Sequence, residues 1–196
     1  MTLEQLQDIF PDATQDTWHQ HPNGGGWVEN TAQVSGNAQV SGDAQVSGNA
    51  QVSGNAQVSG DALVSGNAQV FGDAQVSGDA LVSGNAQVSG NARVSGNARV
   101  SGDALVSGNV QVFGDAQVSG DALVSGDAWD KSPLFIVGSR HSLCNAKHGH
   151  IQIGCHCKPA TWWKENYADI GKMEGYTESE IQEYGHYIDL FLKIGK

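Results

Sequence analysis

From Ala32 to Asp127 the chain repeats one six-residue unit, Ala-x-Val-Ser-Gly-Asn/Asp, sixteen times without an insertion. The third position is Val throughout, from Val34 to Val124, and the fifth is always Gly. Ala holds the first position except at Val110, and Ser the fourth except at Phe71 and Phe113. The sixth is Asn in half of the units and Asp in the other half. A fixed short period of this kind is the mark of a solenoid, and a period of six points to a parallel β-helix. Within a unit, alternation sends Ala and Val to one side and x to the other. Ser-Gly-Asn/Asp then makes a corner, because Gly reaches positive φ freely and Asn or Asp bonds its neighbours. An invariant Val every six residues separates this array from disordered Gly/Ser-rich tracts. Three units would close one triangular coil.

The unit Val-Ser-Gly-Asn-Ala-Gln resembles the hexapeptide of left-handed parallel β-helices. That resemblance implies three units per coil, so about five coils and a prism on the order of 25 Å long at the usual strand spacing. Residues eighteen apart then stack. One outward column reads Gln45, Leu63, Leu81, Arg99, Gln117. A second reads Gln33, Gln51, Gln69, Gln87, Leu105, Leu123, and a third Gln39, Gln57, Gln75, Arg93, Gln111. Glutamine ladders are ordinary content for such faces. Stacked leucines are not, so Leu63/Leu81 and Leu105/Leu123 are expected to be subunit contacts. The resemblance implies side-by-side packing, with a homotrimer favoured. One corner column carries Asp43, Asp61, Asp79 and Asp115, broken by Asn97. Carboxylates about 5 Å apart repel by roughly 0.8 kcal/mol in water. A solvated acidic edge is the simple reading, and a bound hard cation the alternative.

The flanks divide the chain into an N-terminal cap at 1–31, the array at 32–127 and a C-terminal α+β domain at 128–196. In the first, Thr2-x-x-Gln5 reads as a capping box before Leu3, Leu6, Ile9 and Phe10, a short helix ended by Pro11. Gly24-Gly25-Gly26 reads as a tight entry to the first coil, with Val28 in phase with Val34. In the last, Leu134–Val137, His141–Cys144 and Ile151–Ile153 read as strands. Thr161–Ile170 reads as a helix stopped by Gly171. Thr177-x-x-Glu180 opens another, with Ile181, Tyr184, Ile188, Phe191 and Leu192 on one face. Together the flanks resemble uncharacterised hexapeptide-repeat proteins of phages, prophages and their hosts. The resemblance rests on Gly24-Gly25-Gly26-Trp27-Val28, Ser132-Pro133-Leu134, Gly138-Ser139-Arg140-His141, Ile153-Gly154-Cys155, Glu174-Gly175-Tyr176 and Glu183-Tyr184-Gly185. It implies phage or prophage origin and carries no functional residue with it.

Candidate chemistry is sparse. His141, Cys144, His148, His150, Cys155, His156 and Cys157 crowd into seventeen residues. Zn²⁺ accepts thiolate and imidazole ligands tetrahedrally, and Cys144, His148, Cys155 and Cys157 are the best set. The competing reading extends the alternation of Ile151-Gln152-Ile153, which puts Ile153, Cys155 and Cys157 on one face and makes Cys155 a small buried hydrophobe. No other cofactor is implied. The hexapeptide fold also occurs in acyltransferases, which implies a catalytic His beside a subunit groove. Here the array has neither His nor an excursion loop, leaving only flanking histidines such as His141 and His186. Fold alone does not argue function. A net charge of −11 and a pI near 4.8 argue against nucleic acid as a partner. No apolar run is long enough to span a membrane, and Met1–Gln5 does not read as a secretion signal. Three cysteines cannot all pair, which points to a reducing cytoplasm. The expected function is a non-enzymatic oligomeric scaffold or binding protein. The alternatives are a host-factor binder, a trap for a small anionic signal using Arg93, Arg99 and Arg140 for phosphate contacts, or an acyltransferase. An ice-binding face fits poorly, since the outward columns lack a Thr array.

Overall fold

The computed structural model describes residues 1–125, 128–129 and 134–194, without the side chains of 128, 129, 135 and 147. The array is a three-sided parallel β-helix of about five coils, as its period requires. Each unit contributes one two-residue strand of x and Val, from Gln33–Val34 to Leu123–Val124. Partners between units of the array are eighteen residues apart, as in Leu63↔Leu81 and Gln75↔Arg93, and the final rung, Gln111↔Ala128, is seventeen apart. The three columns read from the sequence are the columns observed. Inside, the Ala and Val side chains from Ala38 to Val124 are sealed from solvent and form one continuous core. Each coil donates amides to the next, as Gln45 N to Ala62 O, Ser47 N to Val64 O and Asn49 N to Gly66 O, all at 2.8–2.9 Å.

The corners show why Gly is invariant. Gly84 has φ +69°, and a Cβ there would lie 2.9 Å from both N and O of Gly102 in the next coil. The residue must be left-handed and must also lack a side chain. The Asn that follows Gly binds the coils together. Asn49 Nδ2 donates to Asn67 Oδ1 at 3.2 Å, Asn67 to Asn85 at 3.0 Å and Asn85 to Asp103 at 2.8 Å.

The N-terminal segment departs from a simple plug. Trp27–Glu29 is already a rung of the first face, with Trp27↔Gln45 and Val28↔Val46. Val28 joins the inner core, so Trp27 points outward. Helix α1, Leu3–Ile9, has the expected capping box and packs Leu6 against Trp18, Trp27 and Ala13. It therefore lies on the outside of the first face, where it also buries Gln45 to 4% exposure. The end of the prism is closed instead by Trp18–Gln20, antiparallel to Trp27–Glu29, and by the turn between them. In that turn Gly26 N donates to Val40 O at 2.9 Å, and a Cβ on Gly24 would sit 2.4 Å from Val40 O. The glycine run is thus a lid across one strand edge.

Beyond the array, four antiparallel strands form a meander: Phe135–Val137, Ser142–Lys147, His150–Ile153 and His156–Pro159. The last adds a fourth strand to the three that the sequence predicts. Helices α2, Ala160–Met173, and α3, Glu178–Ile194, cover the face of this sheet that carries Leu143, Ile151 and Ile153. Gly171 does not end α2. It lies inside the helix, where a Cβ would meet Ile181 Cγ1 at 2.8 Å, so it is a contact point between the helices. The chain turns at Gly175, φ +71°. Thr177 and Glu180 make the expected reciprocal cap on α3. Ile181, Tyr184, Ile188 and Phe191 are buried, whereas Leu192, at the margin of this face, is exposed. The opposite face of the sheet docks on the end of the array. There Ser125 N donates to Ala146 O at 2.7 Å, and the Cys144 thiol donates to Leu123 O at 3.8 Å.

Candidate functional site

The outward surface of the array is the first candidate. Leu63 and Leu81 are direct neighbours on one face, and Leu105 and Leu123 on the next. All four are partly or fully exposed. Phe71 and Phe113 add exposed rings at two corners. The two leucine pairs flank the same corner but not at the same height. Their centres are about 2.3 coils apart, roughly 11 Å along the axis at the usual strand spacing. The edges at the two ends are covered in part, and Gln33–Val34 stands as the outermost strand of its sheet. The Trp18–Gln20 strand, the 21–26 turn and the C-terminal sheet each cover part of them.

The three arginines do not converge. Arg93 and Arg99 stand on different faces, and Arg93 Nε donates to Gln75 Oε1 at 2.9 Å. Arg140 is engaged within the C-terminal domain. Its guanidinium lies 4.8 Å from the Tyr176 ring centroid, donates to Glu174 O and Gly175 O, and pairs with Glu180.

The cysteine and histidine cluster is spread by the meander. Pairing runs Cys144↔Gln152↔Cys157, which leaves Cys144 and Cys157 on the same face but two strands apart. Cys144 is buried against the array, and this burial pushes its thiol pKa up. Cys155 is not a buried hydrophobe. It is exposed in the turn after Gly154, φ +55°, where the chain reverses, so Ile153 and Cys157 end on opposite faces. His148 lies in the turn at the other end of His150–Ile153, some 17 Å of strand away. The proposed set of Cys144, His148, Cys155 and Cys157 is therefore not assembled. Among the described residues no group of three or more His, Cys, Asp or Glu is placed to hold a metal ion.

One concavity does gather side chains. It lies between the meander and α2/α3 and encloses about 260 Å³. Trp163, Ile153, Ile181 and Ile188 form a buried floor, and His141, Cys155, His156 and Glu174 an exposed rim. The walls are fixed by hydrogen bonds. Tyr184 Oη accepts from Arg140 N at 3.1 Å and His141 N at 2.6 Å, and donates to His141 O at 2.8 Å. Trp163 Nε1 donates to Ile151 O at 2.9 Å. Burial, with Tyr184 beside it, pushes the Tyr176 phenol up to about 12. Spacing in the sequence gave no sign of this cavity, because its walls come from separate elements that only the fold brings together.

The geometry defines a β-helical prism with partly covered ends and apolar patches on its sides. The chain belongs to the bactofilin family, described as polymer-forming cytoskeletal, whose match spans residues 27–132, more than half of its length. The match begins at Trp27, the residue at which the observed ladder begins. No curated protein and no solved structure matches the chain. Among the described residues no helix is long and apolar enough to cross a membrane.

Proposed function

We propose that this protein is a subunit of a non-enzymatic scaffold that polymerises laterally, through the two leucine pairs on its prism. The observation that carries the proposal is their placement on two faces at two heights. Joining Leu63/Leu81 of one copy to Leu105/Leu123 of the next shifts each subunit by roughly 11 Å along the axis. A heterologous contact with such a shift does not close, so it builds an open chain. A closed trimer has no axial shift and would leave the pairs out of level. Pairing like with like also gives an open chain, since each subunit then has two separate self-complementary patches. Family membership supports self-association, and the exposed leucine pairs favour the sides. The three free thiols suit a reducing cytoplasm.

The test is sedimentation velocity with negative-stain microscopy on the full chain. The wild type is expected to form extended polymers. Leu63→Asp should cap one patch and Leu105→Asp the other, each leaving short species with an unchanged circular dichroism spectrum. Polymers of wild-type length from both variants would overturn the lateral contact. A discrete trimer from the wild type would favour the closed ring.

A further inference from the structure

We propose that the cavity between the C-terminal meander and α2/α3 binds a small, neutral, planar heteroaromatic ring, of purine size, that offers adjacent N–H donors. This is a second role, independent of how the array assembles.

The size argues for one or two fused rings. About 260 Å³ lies just below the usual range of small-molecule pockets, roughly 300–1,000 Å³, and is too small for a dinucleotide. The lining argues for a flat apolar body. Trp163, Tyr167 and Tyr176 bring aromatic rings to the walls, with isoleucines between them. The rim argues for the polar edge. Glu174 offers a carboxylate that only accepts, and no hydrogen bond or ion pair among the described residues holds it. The nearest guanidinium, that of Arg140, is turned to Tyr176, to Glu180 and to the backbone carbonyls of 174 and 175. Those carbonyl contacts fix the Glu174 backbone at the rim. His141 and His156 are exposed at the same mouth, and each imidazole can donate or accept. The His141 ring lies over Gly154, where a Cβ would come within 3.3 Å of its Cγ. A carboxylate and two imidazoles on one rim match a ring edge with two N–H groups next to an acceptor. A phosphate-bearing ligand would meet the Glu174 charge, so a neutral ring fits better than a small anion.

The cavity is also built before any ligand arrives. The triple hydrogen bond at Tyr184 holds the 139–141 turn, and the contact of Gly171 with Ile181 sets the helix separation. A preformed site of this kind loses little freedom on binding.

The experiment is isothermal titration calorimetry of the full chain with guanosine, which carries adjacent N–H donors beside a carbonyl, and with caffeine, a purine whose ring nitrogens carry no hydrogen. Saturable guanosine binding is expected, with caffeine weaker by about tenfold or more, the scale of one charge-assisted bond pair. Glu174→Gln, at an exposed site, should weaken guanosine by a similar factor. Ile170→Trp should fill the cavity and abolish binding. Both variants should polymerise like the wild type and keep its circular dichroism spectrum, and Glu174→Gln should also melt like it. Absence of saturable guanosine binding by the wild type would overturn the proposal. Guanosine binding that survives Ile170→Trp would overturn the site. Binding indifferent to Glu174→Gln, or equal for caffeine, would overturn the ligand class.

Discussion

Replacing Gly84 by Ala tests the corner geometry of the β-helix directly. Gly84 has φ +69°, and left-handed backbone costs a non-glycine residue roughly 1–2 kcal/mol. The added methyl would also stand 2.9 Å from N and O of Gly102, whose carbonyl already accepts from Asn85 N at 2.8 Å. Overpacking of this kind costs typically about 1–3 kcal/mol. The expected loss is therefore about 2–5 kcal/mol, or roughly 4–20 °C in melting temperature for a chain of this size. Gly25 serves as the control. It has φ +79° and open space where its Cβ would go, so Gly25→Ala should show only the backbone cost, about 1–2 kcal/mol. Because coils contact only their neighbours, urea denaturation should be followed by two probes to expose any partly unfolded state. Gly84→Ala no costlier than Gly25→Ala would refute the argument that coil-to-coil approach, and not φ alone, fixes Gly at the corners.

Further expectations concern the C-terminal domain. Tyr184→Phe removes the acceptor of two backbone amides and should destabilise the domain by about 1–3 kcal/mol in urea titrations. An unchanged midpoint would show that water replaces the hydroxyl. The Tyr176 phenol is raised from 10.0 to about 12, so the folded domain disfavours its ionised form. That contribution is complete below pH 10 and should be lost between about pH 10 and 12, a loss absent from Tyr176→Phe when melting is followed against pH. On the acid side, bonds from Thr177 to Glu180 and from Ser139 to Glu183 hold both carboxyls below their ordinary 4.5. Their stabilisation is present above that value and should fade as pH falls below it, which melting of the Glu180→Gln, Glu183→Gln double variant against pH would check. Finally, iodoacetamide should modify Cys155 and Cys157 in the native protein and spare Cys144, whose thiol is buried and raised in pKa. Equal labelling of all three, read by mass spectrometry, would contradict the docking of the meander on the array.

What the sequence made legible follows from where information is repeated. Every array position recurs at a multiple of six, so a single coil of eighteen residues explains Ala, Val, Gly and the three outward columns at once. The caps offer no such redundancy. The helical period of Leu3–Ile9 announces an amphipathic helix but not the surface it covers. A clue was present at Trp27, which occupies the outward position that Gln, Leu or Arg fills elsewhere and therefore needs a cover. In the C-terminal domain the error at Cys155 has one cause. Strand alternation does not continue through Gly154, where a positive φ reverses the chain and resets the faces. Gly171 misled in the same manner, because a glycine that ends a helix and one that admits a neighbouring helix look alike until the neighbour is placed.

The eighteen-residue register has a geometric consequence for how such a protein changes length. Gain or loss of a whole coil slides the C-terminal domain along the axis and keeps it over the same face. Gain or loss of a single unit of six advances the chain by one face and so turns that domain by a third of a revolution against the N-terminal cap. The number of units thus acts as an indexing dial. It sets the bearing of one end relative to the other in three discrete positions, while the same Ala and Val pattern continues to fill the core.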